Sequence, residues 1–409
     1  YRYHHLFAHL LQNQLRQEQP QLVSSLHEQA GRWFLYHDDD EYQREGLYHL
    51  LAAESWTAAC ELLEQQLEQW LWSRGELTAV LNWLEQIPDE VLAQHPSLLT
   101  WKAVSLSLTA QIGRSQHYLN LLKPDENNSR WQGYIAFVHS SNAMSTDQPA
   151  LSVQYAQDAL EFLPADAHKL RSLILQNLGL AFRLSDDAPA AERTFQQAAA
   201  LAQECHNRPS LFNAYIQLGD LALQLGDLPQ AEMYYQRVIE PAEQNPALSY
   251  MPQVAFAYGA YSYVLYNRNQ LDEAYALVQK GIQLVSRIPN GQLQHDAPIL
   301  LCGILAARQQ WPEAQAVLDQ AIATAQAHET DMRLERFEMY RARLHIQMGE
   351  LTTAEAWLAK LPLTPNDPIH FKNRFDFFTL LRLRLAQKRL TEAEQILNRL
   401  ETTLPNGRS

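Results

Sequence analysis

The chain has 409 residues, of which 46% are hydrophobic, 19% are charged and only 14 are glycine. So much apolar sequence excludes wholesale disorder, and the shortage of glycine argues against tight hairpins, phosphate loops and a dinucleotide-binding sheet. Leucine, alanine, glutamine and glutamate predominate and favour helix, so we expect an all-α protein. The net charge of −14 repels nucleic-acid phosphates, so we expect no direct nucleic-acid binding.

Two N-terminal clusters of polar residues are candidates for metal binding. His5 and His9 lie four residues apart, on one face of a predicted helix, but no third ligand and no HExxH glutamate accompanies them. The acidic run Asp38–Glu41 lacks the alternating oxygens and the glycine of an EF-hand loop. We therefore predict no metal site. The histidines are expected to pack, and the acidic run is expected to cap the helix that follows it.

The cysteines and the hydropathy bear on the cellular compartment. Cys60, Cys205 and Cys302 are far apart and lack zinc-ligand spacing, which predicts reduced, buried thiols in a cytosolic protein. No apolar run reaches the ~18 residues of a membrane span and no signal peptide is recognisable, so we expect a cytoplasmic protein without membrane contact. The chain starts at Tyr1 without methionine, which we interpret as a segment of a longer protein.

A repeated phrase organises much of the chain. It begins with leucine or tryptophan and has alanine three residues later, as in Leu228–Glu232 and Leu390–Glu394. The repeated alanines lie 39 to 43 residues apart and are Ala191, Ala231, Ala274, Ala314, Ala354 and Ala393. Looser copies begin at Trp56 and Leu77. A period of this length predicts stacked helix pairs, about ten in all.

Small and aromatic residues accompany these alanines at fixed distances. Gly179 stands twelve residues before Ala191 and Phe195 four residues after it, and Gly219 and Tyr235 repeat this spacing. The pattern resembles the tetratricopeptide repeat (TPR), in which small residues let two antiparallel helices approach closely. In later repeats the glycine is replaced by Ser262, Cys302, Ala342 and Leu381. The resemblance implies an α-solenoid, a right-handed superhelical array of antiparallel helix pairs with a concave inner face.

The N-terminal region carries a second resemblance. Three segments follow one another there: Tyr3–Leu11, Leu26–Phe34 and Glu45–Ala53. Their succession is similar to the stretch after the NTPase and winged-helix modules of MalT-type, STAND-class transcriptional regulators. In that family a Tyr-His-x-Leu-Phe segment leads to a His-x-x-Ala-Ala-x-Trp-Phe helix and then to a His-x-Leu-Ala-Ala helix. The family combines an ATP-binding switch, a winged helix, an inducer-sensing TPR superhelix and a LuxR-type helix-turn-helix.

This sequence lacks two of the family's parts. It contains no GxxxxGK[ST] phosphate loop and no recognisable helix-turn-helix, so the resemblance implies the sensor segment alone. We expect residues 1–125 to form a helical linker with degenerate repeats, following an NTPase and winged-helix module absent from this sequence. Residues 126–409 are expected to form the TPR-like superhelix, with a soft break at Asp125–Ser129. The resemblance further implies that the NTPase module of the parent protein is a partner.

The concave groove is the candidate site. In TPR proteins, residues at offsets −6, −3, +1 and +4 from the glycine position of each first helix face inward. Applied here, these offsets select Gln176, Arg183, Asn213, Asp220, Phe256, Tyr263, Tyr266, Arg336, Arg343, Phe375 and Arg382. Aromatic rings and planar donors together suit a sugar, a peptide or an anionic ligand. The alternative is that the rings only pack and the arginines only extend to water.

Three functional hypotheses follow. In the first, a small-molecule inducer or a peptide binds the groove of a sensor domain, favours one arrangement against the ATPase module and releases that module to oligomerise. In the second, a free-standing TPR scaffold binds a segment of another protein. The third, an enzyme, lacks a GxSxG motif, a Cys/His arrangement and a metal set. We therefore predict a protein without catalytic residues, cofactor or metal.

Overall fold

A computed structural model describes residues 13–15, 17–36, 39–74, 77–109, 111–122, 129–286, 296–327, 331–361, 363–369 and 373–403. Every regular element in these ranges is a helix, which confirms the all-α prediction. None of the described helices combines the length and the apolar character that crossing a membrane requires. The segment Tyr3–Leu11, with His5 and His9, lies outside the described residues.

The helices are short and closely spaced. Those before residue 168 are α1 (Pro20–Leu35), α2 (Asp40–Ala52), α3 (Trp56–Arg74), α4 (Leu77–Gln86), α5 (Asp89–Leu92), α6 (Pro96–Leu108), α7 (Ile112–Leu121), α8 (Ser129–Ser145) and α9 (Pro149–Phe162). Those that follow are α10 (His168–Leu184), α11 (Ala188–Glu204), α12 (Arg208–Gln224), α13 (Leu228–Gln244), α14 (Pro252–Asn267), α15 (Leu271–Val285), α16 (Asp296–Ala307), α17 (Trp311–Ala327), α18 (Asp331–Met348), α19 (Leu351–Lys360), α20 (Arg374–Ala386) and α21 (Leu390–Thr403). A 3-10 turn, Pro246–Leu248, precedes α14.

The chain divides into two compact units, residues 1–178 and 179–409. In the first unit α1 packs on α2, α6 on α7, and α8 on α9, and α8 also packs on α6. The boundary predicted at residue 125 falls among residues 123–128, outside the described residues, and it stays a prediction.

The second unit is a series of helix pairs. In each pair the two helices pack on one another, as α12 does on α13 and α14 on α15. The first helix of each pair also packs on the first helix of the next, from α12 through α14, α16 and α18 to α20. This layering confirms the predicted TPR-like solenoid. The repeated alanines are its contact points, since all six are at most 3% exposed.

At Gly179 and Gly219, an aromatic ring on the second helix of the pair leaves no room for a side chain. A Cβ placed on Gly179 would lie 2.6 Å from the Phe195 ring, and one on Gly219 would lie 2.6 Å from the Tyr235 ring. Both distances are far shorter than a van der Waals contact, so only glycine fits. Ser262 fills the equivalent position in α14, where it is fully buried and its hydroxyl donates a 2.7 Å hydrogen bond to the Ala274 carbonyl.

Aspartates begin several helices. The Asp39 carboxylate accepts hydrogen bonds from the backbone N–H groups of Glu41 and Tyr42, at 2.9 and 3.3 Å, and so caps α2. This confirms the capping role predicted for the acidic run. Asp187 and Asp227 cap α11 and α13 in the same way. Each cap satisfies a donor that the first helical turn leaves unpaired.

The three cysteines are free thiols. Cys60 and Cys302 are buried, as predicted, whereas Cys205 is half-buried. Burial raises the pKa of the Cys60 thiol to about 11 and that of the Cys302 thiol to about 12. Both are therefore protonated and unreactive at neutral pH.

Carboxylates on α13 connect successive helix pairs. Glu232 accepts a 2.6 Å hydrogen bond from the Tyr261 hydroxyl of α14 and pairs with the guanidinium of Arg268, the residue that follows α14. Partial burial raises the pKa of Glu232, but the hydrogen bonds from Tyr261 and Arg268 outweigh this effect and lower it. Glu243 accepts a 2.8 Å hydrogen bond from Lys280 of α15. These bonds therefore join the α12–α13 pair to the α14–α15 pair.

Several turns between helices place a residue in the left-handed conformation. Gly226 and Gly349 do so without strain, whereas Lys388, at φ +59°, carries a side chain there. That conformation costs a residue with a Cβ roughly 1–2 kcal/mol, of which glycine's greater freedom in the unfolded chain offsets a part. We expect Lys388→Gly to raise the free energy of unfolding by about 0.5–1 kcal/mol in urea titrations. Lys388→Ala is the control, and an equal gain from it would contradict the assignment to backbone strain.

Candidate ligand-binding face

The predicted groove residues all lie on first helices of pairs, namely α10, α12, α14, α18 and α20. Gln176 belongs to the first unit and is buried. The other ten belong to the second unit. Four of them are exposed: Tyr263, Arg336, Phe375 and Arg382. Six are half-buried: Arg183, Asn213, Asp220, Phe256, Tyr266 and Arg343.

Arg183 and Asp220 are engaged with each other and with the core. The Arg183 guanidinium lies 3.8 Å from the Asp220 carboxylate, which also accepts a 2.7 Å hydrogen bond from the Tyr235 hydroxyl. Burial, together with the charge of Asp220, raises the pKa of Tyr235. This network keeps Tyr235 against Gly219, so its primary role is to hold α12 on α13.

A pair of tyrosine rings forms the aromatic part of the site. The rings of Tyr263 and Tyr266 stack on α14, with centroids 6.2 Å apart and planes 28° apart. Tyr263 is 42% exposed, whereas Tyr266 packs against the core to which α14 through α18 contribute. Burial raises the pKa of Tyr266, and the positive charge of Arg382 opposes this shift. An exposed ring with a second ring behind it offers a planar stacking surface.

Arg343 of α18 is fixed by α20. Its Nε donates a 2.6 Å hydrogen bond to the Thr379 hydroxyl, and its Nη2 donates one of 2.6 Å to the Phe375 carbonyl. Its guanidinium carbon lies 4.8 Å from the centroid of the Tyr340 ring. Burial lowers the pKa of Arg343, Tyr340 opposes this shift, and the charge of Arg382 adds to it. The guanidinium is therefore held rigidly, by neutral groups.

Arg382 lies on α20 at the repeat offset that Arg343 occupies on α18. It is exposed and has no hydrogen bond or ion pair among the described residues. Its charge acts on both Tyr266 and Arg343. Asp376 and Glu335 are carboxylates nearby: burial raises the pKa of Asp376, Arg343 opposes that rise, and the charge of Glu335 adds to it.

Five residues thus form one electrostatically coupled surface, which we name the tyrosine–arginine face. They are Tyr263, Tyr266, Tyr340, Arg343 and Arg382. Such a surface combines stacking with guanidinium donors, and it is chemically suited to a ligand with a planar part and hydrogen-bond acceptors. Of the other predicted residues, Phe256 packs partly against the core of α12–α15.

The offset rule did not select Tyr340. Its place two residues before the glycine-equivalent Ala342 is outside the inward offsets, yet the ring lies under Arg343. A tyrosine three residues before an arginine on one helix is the signal that could have found it, because such residues are neighbours on the helix surface. No group of three or more His, Cys, Asp or Glu residues within the described ranges is arranged to hold a metal ion.

Residues 133–408 match the family described as MalT-like TPR region. The chain belongs to this family. Among curated relatives of this MalT-like TPR chain is the HTH-type transcriptional regulator MalT of Yersinia pestis (strain Pestoides F), which is 22% identical over 409 residues. The match covers 97% of the chain but 44% of the relative, so the MalT-like TPR chain spans less than half of the relative's length.

Two solved structures show the fold. A STAND protein with a tetratricopeptide repeat sensor, PH0952 from Pyrococcus horikoshii, superposes with a TM-score of 0.60 at 12% identity, over 83% of this chain and 52% of that one. NprR in complex with its cognate peptide NprX superposes with a TM-score of 0.52 at 16% identity, over 76% of this chain and 88% of that one. At such identities the likeness of the MalT-like TPR chain concerns architecture alone.

Proposed function

We propose that this MalT-like TPR chain is the ligand-sensing domain of a STAND-class transcriptional regulator, and that it works in the cytoplasm without a catalytic activity or cofactor of its own. Membership of the MalT-like TPR family and the likeness to a STAND protein with a TPR sensor support this proposal. The observation that carries it is the tyrosine–arginine face. Its side chains come from α14, α18 and α20, so a single ligand would touch several helix pairs at once.

The sensing step would be a shift between two arrangements of the superhelix. A ligand can shift such an equilibrium only by its difference in affinity for the two states. Contacts from several successive helices change together when the repeats rotate against one another, so a ligand on this face would distinguish the two arrangements. The favoured arrangement would release the NTPase module of the parent protein to oligomerise and so control transcription.

The ligand of the tyrosine–arginine face would be a small-molecule inducer or a peptide. NprR, whose architecture is similar, was solved with a cognate peptide, which supports a peptide as one class of ligand. Stacked rings beside fixed guanidinium groups suit either class, because both present planar groups and acceptor oxygens.

The genomic context of the chain provides the first test. We expect the reading frame to encode a phosphate-loop NTPase before Tyr1 and a helix-turn-helix after Ser409. A start codon immediately before the Tyr1 codon, together with a stop codon after Ser409, would instead favour the free-standing scaffold. With the full reading frame in hand, a transcriptional reporter should respond to the inducer, and the response should disappear in the Tyr263→Ala variant.

Calorimetry on the purified chain tests the face directly. We expect Arg343→Ala and Tyr263→Ala each to weaken binding of the inducer or peptide about tenfold, because each removes a charged donor or a stacking ring. Tyr250→Ala, at a 63% exposed tyrosine beyond α13, is the matched control and should bind normally. Unchanged affinity in both face variants would remove this surface from the sensor.

A further inference from the structure

Gly303 occupies an unexpected place on α16. It lies in the middle of this helix, where glycine costs about 1 kcal/mol relative to alanine. A Cβ placed on it would meet only the Tyr266 ring, 3.8 Å from Cζ and 3.9 Å from the hydroxyl. These are ordinary van der Waals distances, so packing does not require glycine here.

The contrast with the other helical glycines is clear. Gly179 and Gly219 are required by rings that a Cβ would approach to 2.6 Å, which is why alanine does not fit there. Gly303 and Gly259, on the turn of α14 before Tyr263, have no such neighbour. Both lie at inward offsets of their repeats, +1 for Gly303 and −3 for Gly259. A glycine that costs stability without helping packing indicates that space is needed on this face.

The repeat register places Gly303 between the two halves of the tyrosine–arginine face. The offset of Gly303 is occupied by Tyr263 in the preceding pair and by Arg343 and Arg382 in the two following pairs. Because first helices of successive pairs pack side by side, these residues form one row across α14, α16, α18 and α20. The row therefore has an aromatic end, a glycine beside the Tyr266 ring that adds no side chain, and a cationic end; we call the space over this glycine the gap.

Neither guanidinium of the cationic end donates a hydrogen bond to a carboxylate among the described residues. Arg343 donates its hydrogen bonds to neutral oxygens of Thr379 and Phe375, and Arg382 has no ion pair among the described residues. The charge of Asp376 acts on Arg343 without a hydrogen bond between them among the described residues, and burial together with the charge of Glu335 raises the pKa of Asp376. Arg343 is partly withdrawn from water, so an anion beside it gains from its charge, and the exposed Arg382 has free donors for a charge-assisted hydrogen bond.

We infer that the gap over Gly303 is a subsite for an organic anion, a carboxylate or a phosphate ester, whose ring lies against Tyr263 and Tyr266. Its anionic group is bound by Arg382, and Arg343 adds positive charge while it holds α18 against α20. This assignment names the class of ligand for the sensing role proposed above and rests on that role. It also explains why the α16 side of the row has no side chain.

Three matched probes test the assignment on the whole 409-residue chain: phenyl phosphate, benzoate and benzyl alcohol. Titrations followed by saturation-transfer NMR at low salt should show one of the two anions binding at least tenfold more tightly than the neutral alcohol. The better anion identifies the acid group, phosphate or carboxylate. Raising the salt concentration should weaken the anions and leave the alcohol unchanged, because screening acts on charge alone.

Variants locate the subsite. Arg382→Gln should weaken the better anion about tenfold and leave benzyl alcohol unchanged. Gly303→Leu should abolish binding of the anion, and Gly303→Ala should weaken it while the melting temperature stays the same or rises. Gly113→Ala, at an exposed helical glycine of the first unit with no atom near its Cβ direction, should bind as the parent does.

Two results would overturn the inference: equal affinity for the anions and the alcohol, or unchanged anion affinity in Gly303→Leu. A reporter in the full regulator separates these failures from a failure of the sensing role. If the anions do not bind but the reporter still responds through Tyr263, the ligand class is wrong and the sensor stands. If the anions bind through Gly303 and Arg382 but no ligand moves the reporter, the subsite stands and the sensing role is wrong.

Discussion

Replacing Gly219 by valine is expected to lower the free energy of unfolding of the second unit by about 3 kcal/mol. The added Cβ would lie 2.6 Å from Cε1 of the fully buried Tyr235 ring, so either α12 must separate from α13 or the ring must leave its site. Ring movement would also break the hydrogen bond from the Tyr235 hydroxyl to Asp220. Urea unfolding followed by circular dichroism measures the loss.

The control for this variant is Gly259→Val. Its Cβ direction is open, so we expect a change below about 1 kcal/mol, and an equal loss would show that the effect is only one of β-branching in a helix. A double-mutant cycle then identifies the contact. Gly219→Ala combined with Tyr235→Leu should destabilise less than the sum of the two single variants, because the smaller side chain removes the overlap. Strict additivity would contradict a direct clash.

Asp89→Asn is expected to destabilise the first unit by about 2 kcal/mol. Lys102 is 2% exposed, and its ammonium group donates a 3.1 Å hydrogen bond to the Asp89 carboxylate. The Tyr118 hydroxyl donates to the same oxygen at 3.0 Å, and the ammonium lies 4.3 Å from the Tyr118 ring centroid. Removing one partner of a fully buried pair costs about 3–5 kcal/mol. The loss expected for Asp89→Asn is smaller than this because the Asp89 side chain is 49% exposed.

This pair also predicts a pH dependence. Partial burial raises the pKa of Asp89, but the hydrogen bond and charge of Lys102 outweigh it, so the pKa is lowered. Its contribution is then fully present above the unfolded-state pKa of about 3.9 and is lost as the pH falls through the folded value. The difference between the parent chain and Asp89→Asn should stay constant from pH 5 to pH 7 and shrink below about pH 4.

A second substitution serves as the check on this pair. Asp89→Asn combined with Lys102→Met removes both charges and should recover most of the lost stability, because no ammonium then stays buried without a counter-ion. Failure to recover it would assign the loss to the hydrogen bond from Tyr118. A single variant as stable as the parent would show that Lys102 reaches water in solution.

The sequence predicted the second unit better than the first, for a physical reason. From Ala191 onward, small residues at each helix contact leave a period of about 40 residues that is readable without coordinates. In the first unit, α6 is buried on all sides from Leu98 to Ser107, including Lys102. A helix surrounded by neighbours has no polar face and hence no amphipathic period, so only the fold identifies its partners.

The tyrosine–arginine face, the candidate site, was predictable only in outline. The inward offsets selected Tyr263, Tyr266, Arg343 and Arg382, which act on one another electrostatically in the structure. The same offsets also selected Asp220 and gave no reason to rank it below the others. Offsets describe direction and carry no information about local partners, and Asp220 is taken up by Tyr235. The same rule also points to Gly303, a position without a side chain, where sequence reasoning looked only for functional groups.

The carboxylate bridges of α13 have a mechanical consequence. Both bridges join the α12–α13 pair to the α14–α15 pair, so they act together at this one junction of the array. The attraction between partly exposed charges weakens as salt is added, because the screening length falls from about 10 Å at 0.1 M to about 3 Å at 1 M. The apolar contacts keep their strength under these conditions. The compliance of this junction is thus adjustable by ionic strength, while its helices and its packed alanines stay intact.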